Sequence, residues 1–207
     1  MFPLSVNDPQ YWEKHYQEGT TRWDLGKAAP PFVHLLQSTV APTPGRIAVL
    51  GSGRGYDALL FAQYGFDVTG VDFAISAITD AQALAEAAGS QAKFLQRDIF
   101  DLPGEFENYF DYVLEHTCFC AIDPQQRPAY VQVIKSVLQP QGELIGLFFT
   151  HNRPGGPPFG VTPAEIQQYF ERDFEILSLL LTTNSVPERL GEEHLGRFRV
   201  LKKDVGV

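Results

Sequence analysis

The sequence predicts an α/β domain built on a doubly wound, mostly parallel sheet. Three observations lead there: strand-like and helix-like runs alternate from Arg46 to Phe149, a glycine-rich loop joins the first strand to the helix after it, and an acid ends the second strand. With 207 residues, 44% of them hydrophobic and 20% charged, the chain has the apolar content for one full core and is too apolar for disorder. Residues 1–207 therefore read as a single domain, with 1–44 as an N-terminal lid or cap and 45–207 as the α/β core.

The first forty residues concentrate Tyr11, Trp12, Tyr16, Trp23 and Phe32, and they end at the turn-forming run Ala41-Pro42-Thr43-Pro44-Gly45. Ile47–Leu50 is a short buried strand. Tyr56–Tyr64 reads as a helix ended by Gly65, Asp67–Val71 as a strand, and Ile75–Ala88 as an Ala-rich helix closed by Gly89. Lys93–Leu95 and Tyr109–Leu114 supply the third and fourth strands. Arg127–Leu138 is a helix that Pro140-Gln141-Gly142 is expected to stop, leaving Glu143–Phe149 as the fifth strand. Thr162-Pro163-Ala164-Glu165 combines an N-cap hydroxyl, a first-turn proline and a capping-box glutamate, so a helix begins there. Phe174–Leu181 and Phe198–Lys202 then close the sheet as an antiparallel pair.

A net charge of −9 repels phosphate backbones and anionic lipid heads, which argues against nucleic acid and membrane as partners. The longest apolar runs, Ile145–Phe149 and Ile176–Leu181, are strand-sized, whereas a membrane helix needs about 20 apolar residues. The opening Met1-Phe2-Pro3-Leu4-Ser5-Val6 lacks the basic segment and apolar run of a secretory signal, so a cytoplasmic protein is expected. Cys118 and Cys120, too close for an ordinary structural bridge, are expected as reduced thiols. The expected partner is a small-molecule acceptor, and nothing demands more than a monomer.

Val49-Leu50-Gly51-Ser52-Gly53-Arg54-Gly55-Tyr56-Asp57 places glycines at alternate positions between strand and helix, where a backbone without Cβ atoms approaches a ligand closely. Asp72 ends the next strand, where a carboxylate accepts hydrogen bonds from ribose hydroxyls. A dinucleotide site wants its third glycine one position later, where this chain has Tyr56, which disfavours NAD. After the third strand, Asp98 is placed to bind an adenine amino group and Ile99 to flank the ring, though Asp98 equally fits a turn cap. Glu115 and His116 fall at the carboxyl end of the fourth strand, beside the crevice where such sheets bind ligands.

Gly51, Gly53, Gly55 and Asp72 together resemble the S-adenosylmethionine loop of class I methyltransferases. More specific phrases resemble the thiopurine S-methyltransferase superfamily, and particularly its thiol and halide methyltransferase branch. They are Trp12-Glu13-Lys14-His15-Tyr16 through Trp23-Asp24, Phe119-Cys120-Ala121-Ile122-Asp123-Pro124 with Arg127, Gly155-Gly156-Pro157-Pro158-Phe159, and Arg189-Leu190-Gly191 with Leu195-Gly196-Arg197. This resemblance implies a Rossmann-like seven-stranded sheet under an aromatic lid, with S-adenosylmethionine as the methyl donor. It implies donor contacts at Trp12, Tyr16, Trp23, Gly51, Asp72, Asp98, Ile99, Glu115 and His116; Gly53 and Gly55 complete the loop. Aromatic faces and carboxylates suit the donor's sulfonium charge.

The implied acceptor is a soft nucleophile near Trp23, Arg127, Phe159 and Arg189: a thiol or thiopurine sulfur first, with halide, selenium and tellurium species as alternatives. His116 and Phe159 stand where halide enzymes of the branch usually show tyrosines, which favours sulfur, and His116 is a candidate to deprotonate a thiol. Read without the resemblance, the early aromatics fit a buried core, Arg127 a solvated helix and His116 a locally satisfied histidine. No metal is expected: His116, Cys118 and Cys120 alternate along one extended face, but no fourth ligand has the spacing of a metal site. The rival readings are an NAD-dependent oxidoreductase and a non-catalytic donor-binding regulatory domain.

Overall fold

The computed structural model describes residues 4–202. Met1-Phe2-Pro3, part of the opening segment read above, lies outside the described residues. Strands β1 (Arg46–Leu50), β2 (Asp67–Asp72), β3 (Lys93–Gln96), β4 (Phe110–His116), β5 (Leu138–Phe149), β6 (Phe174–Leu181) and β7 (Glu193–Val200) form one seven-stranded sheet ordered β3-β2-β1-β4-β5-β7-β6. The first five pair in parallel, and β7 runs antiparallel between β5 and β6, so the sheet is mixed.

Helices α1 (Pro9–Gln17) and α2 (Pro30–Gln37) precede β1; α3 (Tyr56–Gln63), α4 (Ile75–Ala87), the short α5 (Pro103–Phe106), α6 (Arg127–Val137) and α7 (Pro163–Phe170) follow. Alternation along the strands sorts side chains to two faces. Ile47, Val49, Leu114 and Leu147 pack with Phe32, Leu36, Phe61 and Ile78 of α2, α3 and α4. Ala48, Leu50, Val113 and Phe148 pack with Tyr130, Ile134 and Phe170 of α6 and α7. Thus α2 is a wall of the core: Phe32 is fully buried, edge-to-face with Phe61.

Two expected boundaries move. Pro140-Gln141-Gly142 does not separate helix from strand, because β5 starts at Leu138, directly after α6, and pairs at once with Phe110. The Pro-Gln-Gly run instead sits at a register shift inside the β4–β5 ladder, with Gln141 at φ 68°. A Cβ on Gly142 would lie 3.1 Å from the Asp111 carbonyl, so the missing side chain lets β4 approach. Strand β7 begins at Glu193, five residues before the expected Phe198. Its charged residues hid it: Glu193 and Arg197 are neutralised by Arg189 and Glu143, so they sit within a sheet without isolated charge.

Candidate active site

At the carboxyl end of β1 the chain turns through Gly51, Gly53 and Gly55 at φ 59°, 53° and 79°, values that side-chain-bearing residues rarely adopt. A Cβ on Gly55 would also meet the Phe94 ring at 2.7 Å. Asp72, at the end of β2, accepts the Gly53 amide at 3.0 Å and the Ala74 amide at 2.9 Å, one on each carboxylate oxygen. Burial pushes its pKa up, against the pull of those amides. Each carboxylate oxygen keeps a further lone pair. A backbone without Cβ atoms beside a pre-oriented acceptor carboxylate fits a ribose-bearing donor.

Over this loop sits the aromatic cluster. Asp8 caps α1 by accepting the Gln10 amide, and α1 presents Trp12 and Tyr16, whose rings meet Trp23 edge-to-face at 5.2 and 5.9 Å. The Tyr16 hydroxyl lies against Gly53, 3.2 Å from where a Cβ would stand. Burial, with Asp72 nearby, raises its phenol pKa. Three polar ties fasten the segment. Glu13 accepts the Ser76 amide at 3.0 Å and the Ser76 hydroxyl at 2.6 Å, so α1 caps the start of α4. Arg54, within the glycine loop, pairs with Asp24 and Asp80 and donates to the Thr21 hydroxyl. Arg189 donates to the Trp23 carbonyl. Between these rings and the loop remains a cavity of about 60 Å³, lined by Tyr16, Trp23, Gly51, Gly53, His116 and Thr117 among others.

Below Trp23 a buried ionic chain joins three elements. His116, at the end of β4, donates from Nδ1 to Asp57 of α3 at 2.7 Å, while its Nε2 lies 3.0 Å from Arg189 Nη1. Asp57 spends its other oxygen on the Ala29 amide at the start of α2, and Arg189 also donates to Glu193 at 3.2 Å. Burial would lower the His116 pKa, but Asp57 and Glu193 outweigh it and push it up to about 9. Arg189 pulls the other way, since its N–H needs a lone pair on Nε2. In either protonation state neither ring nitrogen is free to take a proton from an acceptor.

The profile of the thiopurine S-methyltransferase family matches residues 7–202. The chain belongs to this family. "Probable thiol methyltransferase 2" of Arabidopsis thaliana is 34% identical over 200 residues, covering 95% of this chain and 87% of the relative. "Thiocyanate methyltransferase 1" of Brassica oleracea is 36% identical, covering 91% and 84%. Among solved structures, the Burkholderia thailandensis 1,6-didemethyltoxoflavin-N1-methyltransferase superposes at a TM-score of 0.76 with 21% identity over 98% of this chain and 93% of that one, a likeness of fold. The protein is an S-adenosylmethionine-dependent S-methyltransferase.

In this methyltransferase the remaining predicted residues separate into groups. Arg127 is buried rather than solvated; its guanidinium donates to the Gly160 and Phe159 carbonyls at 3.1 and 3.2 Å and lies over the Phe119 ring. It therefore holds the loop that carries Phe159. Asp98 caps a short turn by accepting the Phe100 amide at 3.0 Å, and Ile99 packs at the core edge. Glu115 is fully buried on the face it shares with Val113, opposite His116. The extended segment that would align His116, Cys118 and Cys120 does not form, because the chain turns at Thr117 with φ 58°. Among the described residues no group of three or more His, Cys, Asp or Glu is gathered to hold a metal. No helix among them is long and apolar enough to cross a membrane.

The sequence reading missed Glu13, Arg54, Asp57 and Glu193. Asp57 alone carried a signal, as an acid in the first turn after a glycine loop. Glu13 and Arg54 find partners 26 to 63 residues away, which no local pattern reveals, and Glu193 pairs with Arg189 four residues before it, across the turn into β7.

Proposed function

We propose that this methyltransferase methylates the sulfur of a small thiol or thiopurine at the carboxyl ends of β4 and β5. The observation that carries the reading is Arg189. Its buried guanidinium, paired with Glu193, holds the Trp23 carbonyl beside His116 and lies 5.9 Å from the centre of the Phe149 ring, so the end of β4 faces an apolar wall that would strip water from a soft anion. The names of the thiol and thiocyanate relatives support the same choice.

When bound, S-adenosylmethionine supplies an electrophilic sulfonium methyl. In this proposal Gly51, Gly53, Gly55 and Asp72 hold its ribose end, Asp98 and Ile99 border its adenine, and Trp12, Tyr16 and Trp23 turn aromatic surface to the cation. Phe159 and Arg189 face the acceptor, and Arg127 acts through the Phe159 loop. His116 is a positioning residue, tied to Asp57 and packed beside Arg189 and Glu193, so the acceptor arrives as its anion or loses its proton to water. The enzyme's contribution is alignment and exclusion of water, which can supply on the order of 7–11 kcal/mol in ideal cases.

A cavity of about 60 Å³ is too small for a nucleoside-sized ligand, whose sites run to about 300 Å³ or more. Segment 11–23 is therefore proposed as a lid that swings out to admit the donor and closes over it. The single domain is proposed to work as a cytoplasmic monomer, in keeping with its acidic composition.

An acceptor panel with labelled methyl donor tests the reading. Small thiols or thiopurines are expected to become labelled, and a panel in which iodide is methylated while every sulfur compound stays inert would overturn it.

A further inference from the structure

The turn that leaves β4 touches both sides of the proposed reaction. Cys118 packs its sulfur 3.1 Å from where a Cβ on Gly51 would stand, beneath the glycine loop. Two residues on, the Cys120 carbonyl accepts the Phe159 amide at 2.6 Å, on the acceptor side. Immediately before Cys118 the chain passes through Thr117, a β-branched residue at φ 58°, a conformation such side chains rarely adopt.

What holds that conformation is visible. Glu115 Oε1 accepts the Phe119 amide at 2.5 Å across the turn, and the Thr117 hydroxyl donates to the His116 carbonyl at 2.7 Å. Glu115 is fully buried, and its Oε2 has no hydrogen-bond partner; the Tyr130 hydroxyl of α6 is likewise without one. A carboxyl so placed forms no part of the cavity lining that His116 and Thr117 contribute. Yet an unsatisfied buried acid is costly to keep unless it has work to do.

We propose that Glu115 is a positioning residue: by holding the Phe119 amide it keeps Thr117 in the left-handed conformation, setting Cys118 against the glycine loop and Cys120 against Phe159, so one buried carboxyl fixes the donor and acceptor pockets relative to each other. This rests on the reading that the donor lies over the glycine loop and the acceptor beside Phe159. Burial among Cys118, Cys120 and Tyr130 pushes the Glu115 pKa up to about 7, against the pull of the Phe119 amide and of His116. A neutral glutamine therefore retains the oxygen that the turn requires.

The test compares wild type, Glu115→Gln, Glu115→Ala, Thr117→Gly and the double variant Glu115→Ala/Thr117→Gly. Calorimetry gives the dissociation constant of S-adenosylhomocysteine, steady-state kinetics with a thiol give KM and kcat, and thermal melts report folding. Glu115→Ala is expected to raise both the dissociation constant and the acceptor KM by about tenfold or more, with Glu115→Gln within about threefold of wild type. Glycine adopts positive φ without a clamp, so adding Thr117→Gly to Glu115→Ala is expected to recover a large part of the loss, a non-additivity that a general packing defect would not produce. Should Glu115→Ala fail to fold, the double variant is expected to fold. Wild-type constants in folded Glu115→Ala, or a double variant no better than Glu115→Ala, would overturn the role of Glu115. Failure of wild type to bind S-adenosylhomocysteine would overturn the donor reading instead.

Discussion

Arg189 donates from Nη2 to the main-chain carbonyl of Trp23 across 2.7 Å, joining positions 166 residues apart. The same guanidinium reaches His116 and Glu193, so one side chain ties the roof of the site to its floor.

Arg189→Ala is therefore expected to damage both stability and catalysis. It removes the guanidinium partner of Glu193, 1% exposed, and leaves His116 as its remaining charged neighbour, so the loss is expected at or below the about 3–5 kcal/mol of a fully broken buried pair. Arg189→Lys keeps the charge but not the fork of donors, and should recover part of the stability while KM for the acceptor stays raised. Melting and steady-state kinetics on both variants check this; unchanged KM values in a folded Arg189→Ala protein would remove the residue from the acceptor site.

Asp72→Ala strips two amides, Gly53 and Ala74, of their acceptor as well as the proposed ribose contact. Donor affinity is expected to fall by about 1–3 kcal/mol, roughly five- to 150-fold. Titration calorimetry with S-adenosylhomocysteine reads the loss directly, and an unaltered affinity would refute the assignment.

Glu13 gives a separate handle on the lid, since its carboxylate caps α4 through Ser76 and is held below its ordinary pKa by those hydrogen bonds, against a burial effect that would raise it. Glu13→Ala is expected to cost about 1 kcal/mol of stability, as for loss of an N-cap. It should also speed hydrogen exchange in residues 11–23 of the free protein. Added S-adenosylhomocysteine is expected to slow exchange there in wild type; equal exchange with and without it would sink the lid.

Stability is expected to fall on the alkaline side. His116 has its pKa raised from 6.5 to about 9, so the stabilisation it draws from Asp57 and Glu193 is complete below pH 6.5 and is lost as pH rises through 9. Asp57→Asn should flatten the decline of melting temperature across this window, and a decline of undiminished slope would show that His116 is not its source. In catalysis, a His116→Asn variant is expected to lose turnover evenly across pH, whereas recovery at alkaline pH would restore the histidine to the role of base.

The frame of the molecule was legible because its signals are local. Glycines 51, 53 and 55 between an apolar strand and a helix, Asp72 closing the next strand, and the Thr162 to Glu165 capping box each announce themselves within a few residues, and the structure has all three. His116 and Arg189 were each singled out, but the ionic chain from Asp57 through His116 to Arg189 was not legible, because its members are 59 and 73 residues apart and nothing local shows that they meet. Strand β7 failed for a related reason: periodicity assumes that charged residues face water, and here Arg197 is paired with Glu143 of β5 and Glu193 with Arg189 of the preceding turn.

The place of β7 between β5 and β6 bears on how the chain acquires its shape during synthesis. A ribosome delivers β6 before the strand that must separate it from β5, so the inner edge of β5 stays open until Glu193–Val200 emerges. Arg189 emerges in the same late stretch. A nascent chain therefore gains its last sheet neighbour and the latch on Trp23 almost together, which makes the proposed methyl-transfer site one of the last parts of the molecule to be assembled.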